Sequence, residues 1–186
     1  PAVVIKVNVG DQSIYVCSHH TTAYQTPKNA QLRAQQIQDV IDALSPDRIP
    51  FVMMGDFNLH YRSEDQTILD HQLIDAWAQT HFSQCPPFND QDPGYTFDVQ
   101  RNPFIPYYIP GEQRQMRLDR ILFSSGFPAF TTTPCALWGN QPIRSNFYLF
   151  PSDHFGLFID IVIGQTYHQT MSLTQLDPSA RRILSE

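Results

Sequence analysis

The chain has 186 residues, enough for one domain with a buried core, and its 41% hydrophobic against 16% charged composition sets it apart from disordered sequences. Eighteen acidic residues outweigh twelve basic ones for a formal charge of −6, which counts against a module held to nucleic acid or anionic membrane by diffuse charge alone. It leaves room for an enzyme that reaches one phosphate with a metal and a few arginines.

Ala2 to Val9 and Ser13 to Cys17 are β-rich runs separated by Gly10-Asp11, the signature of a hairpin. After a polar loop containing Pro27, residues 29–44 have helical spacing: Leu32, Ile37, Val40, Ile41 and Leu44 fall on one stripe, with Asn29 as the cap. Phe51-Val52-Met53-Met54 is a compact apolar strand ending at Gly55-Asp56. Ser63-Glu64-Asp65-Gln66 has the capping-box pattern and opens a short helix toward Leu69. Leu73 to Trp77 reads as a further helical or semi-regular piece. Residues 84–94 are rich in Pro, Asn and Asp, hence loop; Tyr95-Thr96-Phe97 is a brief strand. Pro103 to Gly111 reads as an ordered surface loop, Arg117 to Phe123 as a strand and Phe155 to Ile163 as the longest strand. Antiparallel pairs mixed with covering helices predict a layered α/β fold.

Cys17, Cys85 and Cys135 are widely spaced with no C-x-x-C. That argues against a disulfide scaffold or a structural zinc site, and favours free thiols in a reducing, intracellular compartment. No run approaches eighteen apolar residues, so no membrane-spanning segment is expected.

Polar residues gather at the strand ends. Gly55-Asp56-Phe57-Asn58 presents a carboxylate and an amide two positions apart, which on an extended segment point the same way. The same four residues also suit a plain turn with Asx hydrogen bonds. Ser152-Asp153-His154 stands at the mouth of a hydrophobic strand, where ionisable groups are costly unless paired or coordinated. In Arg117-Leu118-Asp119-Arg120, Arg117 and Asp119 share one face, and Asp119 could orient a histidine or make a surface ion pair. Ser18-His19-His20 ends the second strand.

Together these segments resemble the endonuclease/exonuclease/phosphatase superfamily, whose fold is that of pancreatic DNase I. Ser18-His19-His20 looks like the family's T-H-L strand end, and Gly55-Asp56-Phe57-Asn58 like G-D-F-N. Gly94-Tyr95-Thr96-Phe97-Asp98 looks like Y-T-[FW], and Arg117-Leu118-Asp119-Arg120-Ile121 like R-x-D-[RY]-[IF]. Pro151 to Leu157 looks like S-D-H-x-[GP]-[LV]; the style is nearest the tyrosyl–DNA phosphodiesterase and small-nuclease branch.

The resemblance implies a DNase I-like two-sheet α/β sandwich with flanking helices and a divalent-metal-dependent phosphodiester hydrolase. Asp56 would activate the attacking water, Asn58 would hold phosphate, and His154, oriented by Asp119, would contact the scissile phosphate. His19 would face the phosphate. Asp153 and Asp56 would lie at Mg²⁺, with Mn²⁺ as a substitute. Tyr95, Phe97 and Arg117 would contact substrate, with Phe97 flanking it.

Complete family members also place an Asn and a metal-binding Glu upstream of the T-H-L strand. Neither has a counterpart here, and the glutamates of this chain, Glu64, Glu112 and Glu186, lie too late to stand in. Residues 1–164 are therefore expected to be the C-terminal portion of such a domain, and residues 165–186 a polar tail with a short helix at Pro178 to Leu184. The missing N-terminal part would come from the same gene product or a second chain. Otherwise the chain is a degenerate member that binds without catalysing.

Nucleic acid is favoured over lipid as substrate, because Phe104, Tyr107 and Tyr108 accompany Arg101, Arg114 and Arg117 in a pattern suited to stacking and phosphate contact. The same residues could also simply pack a long loop. A sphingomyelinase-type lipid phosphodiesterase is the alternative substrate class. His20, where the family has Leu, would put a second polar group near the site.

Overall fold

The structure is a computed structural model and describes residues 1–81, 93–125, 130–143 and 148–163. Strand β1 (Ala2–Val9) turns at Gly10-Asp11 into β2 (Gln12–His20), with Val9 paired to Gln12, as the hairpin signal predicts. Helix α1 (Pro27–Leu44) then crosses back so that β3 (Phe51–Asp56) runs parallel to β2. The helix starts earlier than its apolar stripe suggests. Thr26, in extended conformation, accepts the Asn29 amide hydrogen on Oγ1 at 3.1 Å, and Pro27 occupies the first turn, where its missing donor costs nothing. Asn29 is thus inside the helix, and Leu32 lies largely outside the buried stripe.

A short helix α2 (Asp65–Asp70), strand β4 (Ile74–Asp75) and helix α3 (Ala76–His81) follow, so the expected semi-regular piece around Leu73–Trp77 is a strand running directly into a helix. Next come β5 (Phe97–Asp98), α4 (Phe104–Tyr108), β6 (Gln115–Met116) and β7 (Asp119–Phe123). The Pro-rich surface loop is therefore helical at its centre, with Tyr107 and Tyr108 exposed. Strands β8 (Phe130–Thr132), β9 (Ala136–Trp138), β10 (Gly156–Phe158) and β11 (Ile161–Ile163) complete the described elements. The expected long strand Phe155–Ile163 is thus broken in two, each half pairing with a different partner: β10 with β9, and β11 with β8. The loop at residues 84–92, Cys85 and the helix at Pro178–Leu184 lie outside the described residues; Cys17 and Cys135 are free and buried.

The main sheet has the order β1-β2-β3-β7-β4. Side-chain alternation splits its core between two faces. Cys17, Met53, Phe57 and Leu122 meet Ile37 and Leu44 of α1 on one face. Ile14, Val52, Ile121 and Phe123 meet Leu137, Leu157, Ile159 and Ile161 of the small ladders on the other. The result is a layered α/β architecture.

Two ion-pair networks brace the first face. Arg33 is fully buried in α1 and grips Glu64 bidentately, through Nε at 2.7 Å and an Nη at 2.9 Å, while also donating to the carbonyls of Thr22 and Tyr24. Glu64 further accepts the His60 and Tyr61 amide hydrogens. Its role is this clamp rather than a capping box begun at Ser63, and its oxygens are spent. The second network joins Arg117 and Arg120 to Asp75, and Arg120 to Asp65 at 3.0 Å.

Candidate active site

Strand register places Asp56, the last residue of β3, directly opposite Asp119, the first residue of β7. Like charges in that position repel. On the other side of β3, Gly55 lets the strand run close against β2: its φ is +133°, and a Cβ there would stand 2.1 Å from the His19 carbonyl oxygen. Past Asp56 the backbone leaves the sheet. Asn58 adopts a left-handed φ of 49°, and its amide hydrogen is accepted by Asp56 Oδ1 at 2.8 Å. The Asx turn and the site are therefore the same object, and the extended segment expected between Asp56 and Asn58 is a turn. Asn58 itself is buried and donates through Nδ2 to the Thr21 carbonyl.

His154 completes the cluster. Its Nδ1 lies 2.8 Å from Asp119 Oδ2, and its ring meets Phe97 edge-on at 5.4 Å. With Nδ1–H donated to Asp119, Nε2 is left for a ligand. Asp56, Asp119 and His154 retain 21%, 21% and 24% of their side-chain exposure, enough to meet a substrate from outside. Burial and the nearby Asp119 carboxylate push the Asp56 carboxyl above its ordinary range. Burial opposes the charge on His154, but Asp119, then Asp56 and Asp153, outweigh it and raise the imidazole. Asp153 is half-buried beside them, with Ser152 Oγ donating to its Oδ1 at 3.2 Å.

The scaffold under the pair is built from residues that the sequence patterns left aside. Fully buried Thr96 accepts the Leu118 and Asp119 amide hydrogens on Oγ1, at 3.1 and 3.0 Å, and the Phe155 amide hydrogen on its carbonyl at 2.7 Å. Fully buried Asn102 donates to the Ser152 carbonyl at 2.8 Å. Thr96 sits inside a motif quoted above, a signal that could have found it; Asn102 has none.

Three expected contacts are elsewhere. Arg117 does not share a face with Asp119: its buried guanidinium is bound to Asp75 beside Arg120 rather than turned toward His154. Phe97 is buried with Ile105 and Leu118 and supports His154 instead of flanking a substrate. His19 is 4% exposed, packs on Phe57 and has no partner for Nδ1; burial depresses its pKa to about 4, so it is neutral. Alternation puts His19 on the α1 face with Cys17, and exposed His20 on the Asp56 face, 3.7 Å from Asp56 Oδ2. Tyr95 is half-buried.

The donor set is short for a metal. Mg²⁺ takes about six oxygens in near-octahedral geometry. Among the described residues, no group of three or more His, Cys, Asp or Glu side chains is gathered to hold an ion. Asp56 and Asp153 can each offer a carboxylate, but they do not by themselves make a site.

The sequence profile of the endonuclease/exonuclease/phosphatase family matches residues 2–154, most of the chain. The chain belongs to this family. Among solved structures, it is similar to a humanized TDP2 of D. rerio at 22% identity and a TM-score of 0.63, covering 87% of this chain and 60% of that one. It is similar to TDP2 of C. elegans at 22% identity and a TM-score of 0.62, covering 84% and 44%. Beta toxin of Staphylococcus aureus matches at 17% identity and a TM-score of 0.61, covering 86% and 56%. These likenesses show the fold, and this family member spans only about half the length of the structures it resembles. No curated protein matches it. No helix among the described residues is long and apolar enough to cross a membrane.

Proposed function

We propose that this family member carries the phosphate-handling part of a divalent-metal-dependent phosphodiester hydrolase acting on nucleic acid. The observation that carries the reading is the convergence of Asp56, Asp119 and His154 from three separate chain segments onto one partly open sheet end. Two carboxylates set against one another beside a raised imidazole leave a site rich in negative charge, which ordinary packing disfavours.

The chemistry follows from the protons. Asp119 holds the imidazole through Nδ1, so protonated His154 can present Nε2–H to a non-bridging phosphate oxygen and stabilise the charge that develops there. Asp56, whose raised pKa suits a proton acceptor, takes the proton of a water as its oxygen bonds to phosphorus. The ester bond on the opposite side breaks, and the departing oxygen takes a proton from solvent. Asn58 fixes Asp56 through its backbone amide. Metal dependence in this reading comes from the family and needs carboxylate ligands beyond those gathered here. Nucleic acid is favoured by the exposed Tyr107 and Tyr108 on α4 and by the D. rerio TDP2 structure complexed with single-strand DNA product.

The test is hydrolysis of bis(p-nitrophenyl) phosphate, single-stranded DNA and sphingomyelin vesicles with Mg²⁺ or Mn²⁺. The chain alone is compared with the complete polypeptide encoded by its gene. The expected result is metal-dependent cleavage of DNA by the complete polypeptide. Cleavage of sphingomyelin alone would move the substrate class to lipid. No cleavage of any of the three by a folded protein would overturn the reading in favour of a binding module.

A further inference from the structure

We infer that Asn102 is a positioning residue for His154, tying the His154 loop to the start of α4. The inference rests on the phosphodiester-hydrolase reading. Asn102 has no exposed surface, and its polar atoms bond backbone groups of three separate segments. Its Nδ2 donates to the Ser152 carbonyl at 2.8 Å, across fifty residues of sequence. Its Oδ1 accepts the Phe104 amide hydrogen at 3.2 Å. Its own amide hydrogen goes to the Asp98 carbonyl at 2.8 Å, and its carbonyl accepts the Ile105 amide hydrogen at 3.1 Å.

A buried side-chain amide is costly unless its donors and acceptors are matched. Here the matching is specific: Oδ1 starts α4, while Nδ2 reaches the residue two before His154. The Ser152 side chain meanwhile accepts the His154 amide hydrogen at 3.1 Å. Asn102 thus holds the Ser152 backbone, and the Ser152 side chain holds the His154 backbone. Asp119, the partner of the imidazole itself, is held separately by Thr96. Arg101, one residue earlier, lies over the Phe155 ring at 5.6 Å, so the loop is held on both sides of His154 by neighbouring residues of one segment. A misplacement of about 1 Å at a reacting group can cost roughly 100-fold in rate, so an anchor at this point acts on turnover rather than on substrate affinity.

The experiment uses the complete polypeptide and the variant Asn102→Asp, which keeps the Oδ1 acceptor for Phe104 and sets a carboxylate oxygen against the Ser152 carbonyl where the donor stood. Three quantities are read: kcat and KM on single-stranded DNA, the low-field proton NMR signal of the His154–Asp119 hydrogen bond, and the unfolding midpoint. The expected result is a fall in kcat of about 10- to 100-fold with KM within about threefold, together with loss or broadening of the low-field signal. Should Asn102→Asp fail to fold, the smaller, neutral Asn102→Ser serves for the same comparison. In the wild-type protein, exchange of the Asn102 side-chain amide should be slowed by about 100-fold or more relative to exposed asparagines. Unchanged kcat and low-field signal in a folded variant, or free exchange of that amide, would overturn the inference while leaving the hydrolase reading in place. A wild-type protein inactive on every substrate would bring down both.

Discussion

Two charged clusters hang from neighbouring residues of β7, and they are built on opposite plans. Arg120 points to the α1 face, where it joins Arg117, Asp75 and Asp65 in a buried network of two cations and two anions. Asp119 points the other way, toward Asp56 and His154, where two facing carboxylates, one bonded to His154 and one near exposed His20, open onto solvent. In the first cluster charge is balanced and the polar atoms are largely spent on one another. In the second, charge is unbalanced and Nε2 of His154 is left over. Strand alternation separates a closed structural knot from an open reactive one by a single residue, and completeness of pairing tells them apart better than residue type does.

The sharpest way to break the comparison is His154→Ala. In the complete polypeptide it should lower kcat on single-stranded DNA by about 10²- to 10⁴-fold, with an unfolding midpoint within a few degrees of wild type. A collapse of stability instead would make the open cluster structural. Asp75→Ala should do the reverse. It leaves Arg117 and Arg120 buried without their shared partner and should cost about 3–5 kcal/mol in urea unfolding. A loss under about 1 kcal/mol would show that the closed network is replaceable.

A smaller effect comes from His19. It titrates near 6.5 when unfolded and near 4 when folded, so between those values the unfolded chain binds more protons. Its contribution is fully present above pH 6.5 and is lost as pH falls toward 4, with a size of the order of 1–3 kcal/mol. The measurement is the pH dependence of unfolding free energy for wild type against His19→Phe, which should flatten that slope. The smallest effect on stability is that of Asp56→Asn. Removing one of two facing carboxylates, while keeping an acceptor for Asn58, should raise stability by up to about 1 kcal/mol as hydrolysis is lost. Unchanged or lower stability would show that the repulsion is already relieved in the folded protein.

Much of the open cluster is legible in the sequence because its groups sit at strand ends within short motifs. Gly55-Asp56 and Asp153-His154 mark themselves by abrupt changes from apolar to polar. The closed network is not legible in this way. Asp75 is 42 residues from Arg117 along the chain, and no local spacing announces such a partner, so Arg117 reads as a phosphate contact until its burial is seen. His19 misleads for a related reason. Two adjacent histidines look equivalent in a string of letters, but alternation puts one in the core and the other outside. The break in the last long apolar run was hidden because Ile159-Asp160 interrupts a strand without Gly or Pro. Helix α4 was masked by the three prolines around it, of which Pro103 and Pro106 fall at its start and first turn, where proline is tolerated.

Gly55 links sheet spacing to reaction geometry. Any side chain there would press on the His19 carbonyl and wedge β2 from β3, carrying Asp56 out of register with Asp119. Drift at this position is thus closed off from two directions at once, since no substitution can spare the scaffold while altering the chemistry. Laboratory evolution toward a new substrate will have to work through the rim, at positions such as His20, and leave this hydrogen-only contact alone.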